Sequence, residues 1–177
     1  MVVLRNSTIE IRDSRDVARV FQDLLNLEDA IDKDKEHFYV MHVNPRQRIN
    51  LVELVAIGTL NHAEVHPRET FRRAIVEGSY SIIVAHNHPT GDVTPSEADT
   101  RLTHSLHEAG ELLLIPLLDH IIFTDKSESF FTFKENKTQS TLQTQGEKYA
   151  MKNWGALPDS YDQLGPRRSP GSTGSDL

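Results

Sequence analysis

Apolar and polar positions follow two different periods along residues 1–133. Apolar residues recur at intervals of three and four in some segments, which predicts helices. The predicted helices cover about 15–26, a segment opened by Pro67, and 96–109 with Gly110 as the terminator. Runs rich in β-branched and aromatic residues predict strands at 36–44, 49–60, 80–85, 112–115, 119–124 and, as a short edge, 130–133. The order α-β-β-α-β-α-β-β predicts a mixed α/β fold in which helices cover the faces of one sheet.

The periodic pattern ends near Phe133. Ser, Thr, Gln, Gly and Pro dominate residues 134–177, and the scattered apolar residues there keep no period. Such a segment cannot bury enough apolar surface to offset the entropy lost on ordering. We therefore predict a folded domain over 1–133 and a polar, disordered tail over 134–177. An alternative for the tail is a peptide that docks on a partner through Trp154 and Tyr161.

Composition narrows the chemistry of the domain. The chain of 177 residues has no Cys, which excludes disulfides, Cys-ligated zinc, iron–sulfur clusters and a Cys nucleophile. The net charge is −7, and residues 1–133 alone hold thirteen basic and twenty-one acidic side chains. An acidic domain disfavours non-specific binding to DNA. The apolar runs are too short to span a bilayer and no signal peptide opens the chain, so we expect a cytoplasmic protein with no membrane partner.

Residues 86–89, His-Asn-His-Pro, are followed by a Gly- and Pro-rich loop and then by Ser96-x-x-Asp99. His86 and His88, two positions apart at a strand end, project to the same side. The loop can fold the start of the next helix, with Asp99 in its first turn, back over the strand end. Two imidazoles and a carboxylate suit Zn²⁺, and three protein ligands leave a fourth position for water. Ser96-x-x-Asp99 is also a helix-capping pattern, so this part alone has a structural explanation.

The spacing His-x-His-x7-Ser-x-x-Asp resembles the JAMM metalloprotease motif of the MPN (JAB) fold. With GTLNHAEVHPRETFRRAI upstream and LHEAGELLLIPLLDHII downstream, HNHPTGDVTPSEAD is similar to the RadC family over roughly residues 7–133. The resemblance implies a mixed-sheet α-β-α sandwich of MPN (JAB), cytidine-deaminase-like type. It also implies one Zn²⁺ per chain, held by His86, His88 and Asp99. RadC proteins often carry an N-terminal helix-hairpin-helix region, and we expect this chain to be a stand-alone MPN domain, because only about thirty residues precede the first predicted strand.

The resemblance further implies how the site would work. Zinc would activate a water, a Glu would take its proton and deliver it to a leaving amine, and Ser96 would donate a hydrogen bond to the developing oxyanion. In JAMM enzymes this Glu lies just ahead of a core strand, and Glu36 occupies the matching place. Glu53 and Glu69 are rival candidates. His120 is a further ligand, a partner of a ligand, or a packed strand histidine.

These observations predict a zinc-dependent metallohydrolase, a peptidase or isopeptidase that acts on a peptide or protein substrate. Two other functions remain open. One is a DNA-associated role in repair, which the acidic domain disfavours. The other is a non-catalytic MPN binding module that keeps its metal for structure alone; zinc removal would then unfold the domain and no peptide would be cut.

Overall fold

A computed structural model describes residues 1–5, 9, 11–58 and 65–134 of the chain. Six strands form one mixed sheet in the order β1-β3-β2-β4-β5-β6. The strands are β1 (Val2–Arg5), β2 (His37–Val43), β3 (Ile49–Ile57), β4 (Ser81–Asn87), β5 (Leu117–Phe123) and β6 (Phe130–Thr132). The helices are α1 (Ser14–Asn26), α2 (Ala30–Lys33), α3 (Pro67–Glu77) and α4 (Glu97–Leu113).

Helices cover both faces of the sheet, so the described domain has three layers. On one face α1 buries Phe21 and Leu25 in a cluster that includes Tyr39 of β2. On the other face α3 and α4 bury Phe71 and Leu106 in a second cluster. The mixed-sheet α-β-α sandwich predicted from the sequence is therefore confirmed. No helix in the described part of the chain is both long and apolar enough to cross a lipid bilayer.

The central strands explain why the sequence reads as nearly continuous apolar runs. All seven residues of β2 and all seven of β4 are buried, because both faces of these strands are covered. β4 and β5 are parallel, whereas every other neighbouring pair of strands is antiparallel. Parallel neighbours need a crossover connection, and α4 provides it between β4 and β5. The end of β4 and the start of α4 thus meet at the same edge of the sheet.

A buried carboxylate joins α1, β5 and β6. Asp119 of β5 is 4% exposed and accepts hydrogen bonds from the hydroxyl of Ser14 at 3.1 Å and from that of Thr132 at 2.7 Å. Its other oxygen accepts from the backbone N–H groups of His120 and Lys134. A buried carboxylate is tolerated when hydrogen bonds replace its hydration. These four hydrogen bonds fix the position of β5 relative to α1 and β6.

The structure differs from the predicted elements mainly at the end of α4. The predicted strand at 112–115 is wrong, because α4 continues to Leu113 and ends at Leu114, which adopts a left-handed conformation with φ of 56°. Gly110 does not terminate the helix but lies inside it. The short elements β1 and α2 were not predicted. Residues 135–177, with Trp154 and Tyr161, lie outside the described residues, so the tail over 134–177 stays a prediction.

Gly110 is required by the close approach of α4 to the chain that follows it. A Cβ at this position would lie 2.8 Å from the carbonyl oxygen of Ile115 and 3.2 Å from the backbone nitrogen of Leu117. It would also meet the ring of Phe71 at 3.3 Å. Two of these neighbours are backbone atoms, which cannot turn away. Glycine therefore acts here as a packing residue and not as a helix stop.

We expect Gly110→Ala to destabilise the protein by about 1–3 kcal/mol, since the added methyl overpacks a filled space. The direction of this change is informative, because helix propensity alone would make the Ala variant more stable by about 1 kcal/mol. Urea unfolding of the full chain, followed by circular dichroism, measures the change. Ser105→Ala, on the exposed side of α4, is the matched control and should change stability little. A Gly110→Ala protein as stable as the parent would contradict the close approach.

Candidate metal centre

The carboxyl end of β4 carries the first of the predicted ligands. His86 lies within β4 and points toward the layer of α3 and α4, where the ring of Phe38 stacks on it with centroids 6.4 Å apart. His88 follows just beyond the strand, and its backbone N–H donates to the carbonyl of Phe123 at 2.8 Å. This bond extends the pairing of β4 with β5 past the formal strand end. Both imidazoles therefore leave a rigid backbone on the same side.

A tight loop returns the chain to the same place. Gly91 has a φ of 94°, a conformation that favours glycine, and its N–H donates to the carbonyl of His88 at 3.1 Å. The loop ends at Ser96, the N-cap of α4, whose hydroxyl accepts from the backbone N–H of Asp99 at 3.1 Å. The side chain of Asp99 in turn accepts from the backbone N–H of Ser96 at 2.7 Å. This capping box holds the Asp99 carboxylate over the end of β4.

The structure brings together the three side chains that the sequence predicts as ligands. One ligand atom each from His86, His88 and Asp99 lies within 4.8 Å of the others. The two Nε2 atoms are 3.1 Å apart, and Asp99 Oδ1 is 3.2 Å from His86 Nε2. Asp99 Oδ2 is 3.7 Å from His88 Nε2. Among the described residues, no other group of three metal-binding side chains converges in this way.

The donor set fits a divalent cation such as Zn²⁺. His88 Nδ1 lies 2.6 Å from the carbonyl oxygen of Asp92. A carbonyl can only accept, so His88 Nδ1 carries a proton, and Nε2 is the nitrogen left to bind a cation or to donate to Asp99. His88 Nε2 faces His86 Nε2 and the Asp99 carboxylate, so a cation can take the place of the protons that these three groups share. Two imidazole nitrogens and one carboxylate oxygen are also the ligand types that zinc prefers.

The charges at the site support each other. Burial alone would raise the pKa of Asp99, but hydrogen bonds from His86 and His88 hold this pKa well below its ordinary value. Burial alone would lower the pKa of His88. The hydrogen bonds to Asp99 and to the Asp92 carbonyl, with the negative charges of Asp99 and Glu36, outweigh burial and raise it. The site therefore favours positive charge at its centre.

Glu36 lies immediately before β2 and is half-buried. Its negative charge contributes, more weakly than that of Asp99, to the raised pKa of His88. The backbone carbonyl of Glu36 accepts from the N–H of Gly58 at 2.8 Å. This attachment to the end of β3 restrains the backbone that carries the carboxylate.

Asn87, between the two histidines, holds the chain on both sides of Glu36. Side chains alternate along a strand, so Asn87 points to the face opposite His86. It is fully buried; its Oδ1 accepts from the backbone N–H of His37 at 2.7 Å, and its Nδ2 donates to the carbonyl of Lys35 at 3.0 Å. The sequence alone predicts no role for Asn87. The sequence did contain a signal for such a role: a polar amide side chain in a strand that is predicted to be buried must find hydrogen-bond partners.

The rival bases occupy other environments. Glu53 of β3 is buried; its carboxylate accepts from Arg73 Nε at 2.6 Å and lies 3.2 Å from His42 Nε2. Burial alone would raise the pKa of Glu53, but the hydrogen bonds from His42 and Arg73 lower it below its ordinary value. Glu69, in the first turn of α3, pairs with Arg68 on the surface. Glu53 is thus committed to a polar cluster, and Glu69 has the position of a helix-dipole residue.

Ser96 and His120 lie beside the centre in different ways. The Ser96 hydroxyl donates to Asp99 Oδ2 at 2.7 Å, so it supports the carboxylate in addition to capping α4. Ser96 is exposed, which leaves its hydroxyl accessible. His120 of β5 is fully buried, and its Nε2 lies 2.9 Å from His86 Nδ1. His120 therefore contacts His86 through Nδ1, the ring nitrogen that does not face His88. Full burial and the charge of His86 hold the pKa of His120 well below its ordinary value.

The chain is similar to a described protein family. The family model "RadC-like JAB domain" matches residues 11–138. A UPF0758 protein of Chlorobium chlorochromatii (strain CaD3) is 49% identical over 104 residues, which cover 59% of this chain and 46% of that protein. A UPF0758 protein of Chlorobium phaeovibrioides (strain DSM 265 / 1930) is 40% identical over 136 residues, covering 77% of this chain and 58% of that protein. The chain thus spans about half the length of the curated relatives it matches.

We expect Asn87→Ala to lower the free energy of unfolding by about 1–3 kcal/mol, because it leaves the buried His37 N–H without its partner, while the Lys35 carbonyl keeps only the His37 imidazole at 3.0 Å. Exchange of the His37 amide hydrogen should accelerate relative to neighbouring amides of β2. Hydrogen exchange of the full chain and urea unfolding measure the two effects. Asn50→Ala is the control, since this exposed amide accepts a hydrogen bond from the side chain of Asn44 on the surface. Unchanged protection of His37 would refute the proposed restraint of the chain around Glu36.

Proposed function

The chain belongs to the family of RadC-like JAB domains, and from that premise we propose that it is a zinc-dependent hydrolase of amide bonds, a peptidase or isopeptidase. The observation that carries the proposal is the convergence of His86, His88 and Asp99 at the end of β4. The proposal concerns the described domain alone, because the chain spans about half the length of the relatives it matches. Its substrate would be a peptide or a protein.

The roles follow from the chemistry of each side chain. His86, His88 and Asp99 would hold one zinc ion per chain. Bound there, the ion supplies Lewis acidity that activates water and polarises a carbonyl group. Glu36 would accept the proton of the attacking water and return it to the leaving amine, since its negative charge contributes to the raised pKa of His88. Asn87 would keep the backbone on both sides of Glu36 in place.

Ser96 would donate a hydrogen bond to the oxyanion that develops on the substrate carbonyl. Its hydroxyl has a single proton, which is directed at Asp99 Oδ2 in the structure. The same hydroxyl is exposed, so a turn about its side-chain torsion redirects that proton to a substrate. A donor of this kind typically contributes about 10²–10³ in rate. The capping bond that Ser96 accepts from the Asp99 N–H does not need that proton.

We expect the purified wild-type chain to hold about one zinc ion and Asp99→Ala to lose most of it, because the variant removes one of three ligands. Elemental analysis after dialysis gives the metal content. Asp92→Asn is the matched control, since it alters a neighbouring carboxylate while the backbone carbonyl that binds His88 remains. Zinc absent from the wild type, or retained in full by Asp99→Ala, would refute the metal centre.

We expect the zinc-loaded wild type to cut members of peptide or isopeptide libraries, and Glu36→Gln to retain zinc while hydrolysis slows by about 10²–10⁴, the usual contribution of a general base. Glu69→Gln, the rival surface carboxylate, should retain full activity. Full activity in Glu36→Gln would remove this residue from the mechanism. If zinc-loaded protein cuts nothing and zinc removal unfolds it, the domain is a binding module that uses its metal for structure.

A further inference from the structure

A chain of hydrogen bonds links two of the proposed ligands through the core. It begins at His86 Nδ1, which lies 2.9 Å from His120 Nε2. It continues from His120 Nδ1 to the hydroxyl of Thr103, at 2.6 Å. It ends at the backbone carbonyl of Asp99, which lies 2.6 Å from that hydroxyl. The chain therefore joins β4, β5 and α4 behind the metal centre.

The middle of this chain is rigid and shielded from water. His120 is fully buried and Thr103 is 4% exposed. The ring of Phe133 stacks on His120 with centroids 5.0 Å apart, and the ring of Phe38 meets it edge-on at 6.1 Å. The His120 ring therefore has little freedom to turn away from His86. Because the ring is buried, its nitrogens depend on His86 and Thr103 for hydrogen bonds.

The protons along this row of hydrogen bonds can be arranged in two directions. A neutral imidazole has one N–H and one lone pair, and the Thr103 hydroxyl has one proton. If Thr103 donates to the Asp99 carbonyl, His120 Nδ1 donates to Thr103 and His86 Nδ1 donates to His120. His86 Nε2 then presents a lone pair toward His88 and Asp99. In the reverse direction Thr103 donates to His120, and the proton of His86 stands on Nε2, the atom that would have to bind a cation.

We propose that His120 and Thr103 are positioning residues that select the first direction and so keep His86 Nε2 available to a metal ion. The inference rests on the proposed zinc centre. The hydroxyl of Thr103 decides the direction, because it is the acceptor that the His120 Nδ1–H needs. Without that hydroxyl, a buried N–H at His120 Nδ1 has no partner, and the proton moves to Nε2 to avoid the cost of an unsatisfied donor. His86 is then driven into the tautomer that cannot bind through Nε2.

A matched pair of variants isolates the hydroxyl. Thr103→Ser keeps it and Thr103→Ala removes it, while both lose the same methyl group. We expect the full-length Thr103→Ala protein to bind Zn²⁺ about 10–100-fold more weakly than Thr103→Ser, the usual effect of losing a partner of a ligating histidine. Competition with a chromophoric chelator gives the affinities, and thermal unfolding of the metal-free proteins checks that the two variants are equally folded.

The tautomers provide a second readout that a merely structural role of Thr103 would not change. Long-range proton–nitrogen spectra of protein labelled with ¹⁵N-histidine report which ring nitrogen carries the proton. In the zinc-loaded wild type and in Thr103→Ser we expect His120 to carry it on Nδ1. In Thr103→Ala we expect the proton to shift toward Nε2. A His120 proton on Nε2 in the wild type, or equal zinc affinities in the two variants, would overturn the inference.

These results are separable from those that test hydrolysis, because neither readout needs turnover. A protein that binds zinc with the expected tautomers and cuts nothing would refute the hydrolase and leave the positioning role intact. Equal zinc affinities for the Ala and Ser variants, with hydrolysis present, would refute the positioning role and leave the hydrolase proposal intact. A wild type that binds no zinc would refute both.

Discussion

The close approach of three groups that can each bind a proton or a cation, at one end of β4, is the constraint on which the site depends. Two imidazole nitrogens lie 3.1 Å apart with a carboxylate oxygen 3.2 Å from one of them. Such groups stay together only where the fold holds them and where positive charge lies between them. The fold holds them because a parallel strand pair needs a crossover, and the crossover returns the chain to the end of β4.

Strand alternation gives β4 two separate functions at adjacent positions. His86 points into the layer of α3 and α4, while Asn87 points into the layer of α1 and binds the backbone that flanks Glu36. One strand end thus positions both the proposed ligands and the proposed base. Glu36 precedes β2, the strand that pairs directly with β4, so the spacing of neighbouring strands keeps the proposed base near the proposed ligands.

Each proposed ligand has a partner behind it. The Asp92 carbonyl orients His88, the capping box with Ser96 orients Asp99, and His120 contacts His86. Sites held in this way keep their geometry before a ligand arrives, which lowers the cost of binding. The Glu53 cluster with His42 and Arg73 shows the same principle applied to packing alone, since a buried carboxylate there is fully paired.

The sequence by itself determined the layers, the order of the main elements and the residues at the centre, because strand and helix periods and the spacing of His86, His88 and Asp99 are local properties. It misplaced the end of α4, where a Gly inside the helix suits close packing and not termination. It predicted no role for Asn87 or Thr103 and left three alternatives open for His120, since the long-range partners of these side chains lie 17–52 positions away along the chain. Only the tertiary structure decided those contacts, because a buried polar side chain takes whichever partner the packing brings within hydrogen-bond distance.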